Sequence, residues 1–122
     1  MSEPRSHRDL VVWQKGMELA EQVYRLAKLL PQAEQYRITG QLIRAATSVP
    51  ANIAEGNARA TRKDYANFLS LARGSAVEVE TLLLLAVRVQ LGTNEDAASG
   101  LQLADELSRM LNVMRSRLLE EK

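Results

Sequence analysis

The chain has 122 residues, 46% of them apolar and 25% charged, with 16 Lys plus Arg against 15 Asp plus Glu, one histidine and no cysteine. A single domain of this length buries somewhat over about 60% of its unfolded surface and needs no metal or disulfide staple. The absence of cysteine excludes a disulfide framework, a thiolate zinc site, an iron–sulfur cluster and a cysteine nucleophile, and the lone His7 leaves no histidine-based triad or multi-histidine metal site.

Residues 1–8 form a polar segment, expected to be flexible, without the apolar core of a secretory signal, and no apolar run approaches the roughly 20 residues that span a bilayer. A cytoplasmic protein of one domain, 1–122, with no membrane contact is therefore expected. The series Leu10, Trp13, Met17, Ala20, Tyr24, Ala27, flanked by Leu19, Val23, Leu26 and Leu30, predicts a first helix with a wide apolar face that ends before Pro31. A second helix is expected from near Glu34 through Ile38, Leu42, Ala45, Val49, Ile53 and Gly56. Pro50 lies inside it and removes one backbone donor. Because the apolar phase survives across Pro50, one kinked helix is predicted; a break at Thr47 and Ser48, with Pro50 in the first turn of a new helix, is the alternative.

Thr61 with Asp64 three residues on announces a third helix, running through Tyr65, Phe68, Ala72, Ser75, Val79, Leu82, Ala86 and Val89 and stopping at Gly92, a residue suited to a left-handed cap. Thr93 and Asp96 repeat the cap signal before Leu103, Leu107, Met110, Leu111, Met114 and Leu118. Four helices with short loops imply an all-α, antiparallel up-down four-helix bundle. Eight of the eleven residues from Thr81 to Leu91 are apolar, far beyond the three in seven of a bundle helix. A subunit interface is expected there, with Leu82, Leu83, Leu84, Leu85, Val87 and Leu91 as its candidates; a merely greasy surface is the competing reading.

The run Gln41-Leu42-Ile43-Arg44-Ala45-Ala46-Thr47-Ser48-Val49-Pro50-Ala51-Asn52-Ile53-Ala54-Glu55-Gly56, followed by Phe68-Leu69-Ser70-Leu71-Ala72-Arg73-Gly74-Ser75 with Glu78 and Glu80, resembles the four-helix-bundle family named for open reading frames in 23S ribosomal RNA intervening sequences. Asp9-Leu10-Val11-Val12-Trp13-Gln14, and Leu30-Pro31 with Glu34, resemble that family's first helix. The resemblance covers nearly the whole chain. It implies assembly into a homo-oligomeric ring of five subunits and kinship with accessory proteins of diversity-generating retroelements, which bind nucleic acid and a reverse transcriptase. It implies no catalytic activity and no cofactor.

Within the motif Ser48, Asn52 and Glu55 read as structural polar residues. Asn52 and Glu55 share a side of the second helix, where an interhelical hydrogen-bond network with Arg44 or Arg73 is favoured over contact with RNA or a ligand, since a carboxylate repels phosphate. Gly56 and Gly74 read as close helix contacts. Ser75 lacks the strand and glycines of a nucleophile elbow and any histidine base, and Glu78 and Glu80, about 200° apart on a helix, cannot pair.

The basic residues divide unevenly along the chain. Residues 1–73 carry 11 basic and 7 acidic groups, a net +4, whereas residues 74–122 carry 5 and 8, a net −3. Candidate nucleic-acid contacts are Arg37 and Arg44, seven apart on one face, then Arg59, Arg62 and Lys63 at the start of the third helix, and Arg73, about 16 Å along it from Arg62. No RNA-binding signature or aromatic stacking platform accompanies them, so contacts independent of sequence are expected. The competing reading is an interaction or scaffold oligomer whose arginines are solvated or structurally paired.

Overall fold

The computed structural model describes residues 6–120, where the apolar stripes become four α-helices: α1 Val11–Ala27, α2 Ile38–Asn57, α3 Arg62–Arg88 and α4 Asn94–Glu120. α1 and α3 each pack on α2 and α4 and lie across the diagonal from each other. Neighbours run antiparallel: the start of α1 meets the second half of α2 where Gly16 faces Pro50, the end of α2 meets the start of α3 where Gly56 faces Phe68, and the end of α3 meets the start of α4 where Leu83 faces Gly100. The up-down bundle therefore follows from four apolar faces and three short connections.

Residues 1–5 of the expected flexible terminus lie outside the described residues. From Ser6 onward the chain is instead built: the Ser6 side chain accepts from the Arg8 N–H at 3.2 Å and caps a 3-10 turn, His7–Asp9. His7 stacks edge-on against Trp13, with ring centroids 5.1 Å apart. This anchors the turn to α1.

α2 begins at Ile38 rather than near Glu34. Gln32–Glu34 close a 3-10 turn after the extended Pro31, and Arg37, at φ −117° and ψ −116°, has a backbone that no helix can include. Past that point α2 is one continuous helix of 20 residues with Pro50 inside it, so the break at Thr47 and Ser48 is not adopted. Pro50 is buried against α1, where a Cβ on Gly16 would come within 3.4 Å of it. Packing against α1 offsets the missing donor.

At the start of α3 the Thr61 hydroxyl accepts from the Asp64 N–H at 3.1 Å, as its cap signal requires. Its end departs from expectation. The left-handed residue is Gln90, at φ 64°, and Gly92 has no positive φ. The Leu91 N–H reaches the Ala86 carbonyl at 2.8 Å and the Gln90 N–H the Val87 carbonyl at 3.1 Å, the paired bonds of a Schellman cap. α4 opens with a reciprocal box, the Asp96 N–H to Thr93 Oγ1 at 3.0 Å and the Thr93 N–H to Asp96 Oδ2 at 3.1 Å.

The core takes Leu19, Leu42, Ile53, Leu69, Leu83, Leu107 and Leu111, each fully buried. It also divides the Thr81–Leu91 run and corrects the expected interface. Leu82 and Leu83 belong to this core, and Val87 and Leu91 are half-buried against it; Leu91 is held there by the Schellman cap. Leu84 and Leu85 remain uncovered at 49% and 47% exposure, with Val89 beside them. Because α3 packs on both α2 and α4, four of the six candidates are used inside the chain.

Candidate functional site

The six candidate cations do not form one surface. Arg37 precedes α2 and Arg59 follows it, so they stand at opposite ends of a helix of 20 residues, about 30 Å apart. Arg44 lies a third of the way along α2, and a Cβ on Gly40 would lie 3.3 Å from its Nη1. Arg59, Arg62 and Lys63 do cluster at the α2–α3 corner, and Arg73 lies three turns down α3.

Several of these charges are already engaged. Arg37 lies 3.7 Å from Glu34. Arg59 donates to Glu55 Oε2 at 2.8 Å and sits over the Phe68 ring at 4.6 Å, a cation–π contact. Arg62 Nε donates to the Leu118 carbonyl and Arg73 Nε to Ser108 Oγ, both at 3.3 Å. Arg62 and Arg73 thus lean on α4 from one side of α3, as their spacing implies. Arg44 and Lys63 form no hydrogen bond or ion pair among the described residues.

Two faces of the bundle are apolar and open. Between α1 and α2 runs a groove of about 580 Å³ lined by Trp13, Met17, Ala20 and Tyr24 from one helix and Pro50, Ala51 and Ala54 from the other, with Glu21 and Arg25 on its rim. The outer face of α3 carries Leu71, Val77, Leu84 and Leu85, each exposed by 41% or more. Gly74 lies in this stretch, and a Cβ there would meet nothing within 4 Å, so it is not the close contact expected of it. Among the described residues no three His, Asp or Glu side chains come together to hold a metal, and no helix is long and apolar enough to cross a membrane.

A family model described as "23S rRNA-intervening sequence protein" matches residues 8–113. The chain belongs to this family. A crystal structure of a protein of unknown function from the S23 ribosomal protein family of Bacteroides thetaiotaomicron is similar at 30% sequence identity and a TM-score of 0.80, over 86% of this chain and 98% of that one. No curated protein matches.

In this intervening-sequence protein the Ser48–Gly56 string is a packing device. Asn52 Nδ2 donates to both the carbonyl and the hydroxyl of Ser48 at 2.8 Å, and Ser75 Oγ donates to Ser48 Oγ at 2.9 Å. The expected network between α2 and α3 therefore exists, with Ser75 as its partner in place of Arg44 or Arg73. Glu55 is not part of it: the residue faces solvent and holds Arg59 one turn on. Gly56 is a close contact as read, since a Cβ there would lie 2.8 Å from Phe68 Cβ.

Sequence reasoning missed the groove because Trp13, Met17 and Tyr24 sit on the same helical spacing as core residues. It also passed over Arg115, which meets Lys63 in a hollow between α3 and α4. A helical face drawn for one element alone cannot find a pair contributed by two.

Proposed function

We propose that this chain is a non-enzymatic subunit of a homo-oligomeric ring of five copies, with α2 bent at Pro50, that binds nucleic-acid backbone without sequence preference. The observation that carries self-association is the uncovered apolar surface, since soluble monomers rarely leave large contiguous apolar patches in water. The α1–α2 groove and the outer face of α3 are different surfaces, and a contact that joins unlike surfaces of identical subunits closes into a ring when its rotation permits. Five is the number the family resemblance implies. Nucleic-acid binding is supported by the Arg59, Arg62 and Lys63 cluster, which a ring would repeat once per subunit and so turn weak contacts into avidity.

A protein-only scaffold is the second reading. It is favoured by the internal engagement of Arg37, Arg59, Arg62 and Arg73.

Analytical ultracentrifugation tests assembly: the wild type is expected near five times the 13.6 kDa chain mass, and Leu85→Glu as single chains of unchanged helix content. A monodisperse 13.6 kDa wild type at micromolar concentration overturns the ring. Binding of two unrelated oligonucleotides with equal affinity at low salt supports the nucleic-acid reading, and no binding leaves the scaffold.

A further inference from the structure

Near the C-terminal end of α4, α3 and α4 part to leave a hollow of about 390 Å³, lined from α3 by Lys63, Asp64, Asn67 and Ser70 and from α4 by Arg115 and Leu119. Lys63, Asn67 and Ser70 stand four and three residues apart, so they share one face of α3. Neither Lys63 nor Arg115 forms a hydrogen bond or ion pair among the described residues. Two cations without a partner among the described residues thus line one concave site from two different helices, together with an amide and a hydroxyl.

That combination differs from the other basic positions in its energetics. Arg59 must give up Glu55 to bind an anion, and Arg73 must give up Ser108; Lys63 and Arg115 have no such partner to give up among the described residues. An arginine fork can take two oxygens of one phosphoryl group, with the lysine as a point charge opposite. Asp64 is the one carboxylate in the lining, leaving two positive charges against one negative.

Resting on the nucleic-acid reading above, we infer that this hollow is a phosphate subsite that holds a phosphodiester of a single nucleic-acid strand between Lys63 and Arg115, with Asn67 and Ser70 as neutral donors. Its volume falls within the roughly 300–1,000 Å³ of small-molecule sites, which suits a phosphate with its flanking sugar better than a bare ion. Along α3, Arg62 precedes the hollow and Arg73 follows it, each tied across to α4. A strand laid along this crease passes two further cations.

The test is fluorescence anisotropy of a labelled oligothymidylate with the full chain over a salt series, alongside NMR titration with inorganic phosphate. Arg115→Ala and Lys63→Ala are each expected to weaken oligonucleotide binding roughly three- to tenfold and to make the salt slope shallower by about 0.7. Arg44→Ala, an equally unengaged cation outside the hollow, should change affinity by less. Asp64→Asn should tighten binding, a gain that no loss of folding can imitate. Wild-type binding that is indifferent to all three hollow substitutions overturns the subsite and leaves the nucleic-acid reading standing. No wild-type binding at low salt overturns both, and phosphate binding that depends on Arg115 without oligonucleotide binding overturns the assignment to a strand.

Discussion

At the scale of single residues, the positions that surprise are those where a neighbour and not the residue type decides the conformation. Gln90, two residues before Gly92, takes the left-handed conformation because the Schellman bonds from Leu91 and Gln90 close the end of α3 there, and Leu91 is thereby carried onto the core. A residue with a Cβ is strained in that region, while glycine is not. Gln90→Gly is therefore expected to raise stability by up to about 1 kcal/mol, read as a higher urea midpoint with an unchanged slope. A lower midpoint would show that the Gln90 side chain contributes more than its strain costs. The same dependence on neighbours governs the cations: Arg59 and Lys63 are four residues apart, yet one is bound to Glu55 and Phe68 and the other has no partner among the described residues.

At the scale of elements, α2 and α3 make the contrast clear through their glycines. Gly56 is buried where α2 crosses α3, and a methyl group there would lie 2.8 Å from Phe68 Cβ and 3.1 Å from Tyr65 Cδ1. Gly56→Ala should force the helices apart and cost about 1–3 kcal/mol. Gly74 is in the middle of α3 facing open space, so Gly74→Ala should gain about 0.5–1 kcal/mol from helix propensity alone. Chemical denaturation of both variants in a Leu85→Glu background, where chains are expected to stay apart, reads the two signs. Equal effects would mean that the crossing at Gly56 is looser than its geometry. The Asn52 bonds hold Ser48 from within α2, and the Ser75 bond to Ser48 crosses the same α2–α3 seam and favours its register, because half-buried Ser75 reaches that hydroxyl only in this alignment.

At the scale of the whole molecule, the leucine run of α3 is shared between inside and outside. Leu83→Ala should cost about 2–5 kcal/mol, since the side chain is 1% exposed and its loss leaves a cavity. Leu84→Ala, at a half-exposed site, should change the stability of the isolated chain by about 0.5 kcal/mol or less and act instead on association. Thermal melts and sedimentation of the pair separate these effects; comparable losses of stability would place Leu84 inside the fold. The charges follow the same division. The net +4 of residues 1–73 is spread over both ends of the bundle, while Arg115, from the acidic part of the chain, joins Lys63 in the α3–α4 hollow.

What the sequence determined by itself was local. Helical spacing of apolar residues specifies four helices because burial of one face is periodic in the chain, and the Thr61–Asp64 and Thr93–Asp96 caps are visible because both partners of each bond are three residues apart. The motif that carries the family was equally legible, and with it a polar link between α2 and α3. Only the tertiary structure decided which leucines of α3 are core, that Ser75 and not an arginine completes the Ser48 and Asn52 network, that Gly74 is open while Gly56 is closed, and that Trp13, Met17 and Tyr24 line a groove. Each of these depends on which neighbour faces a residue from a helix tens of positions away, and a single helix's periodicity contains no information about that neighbour.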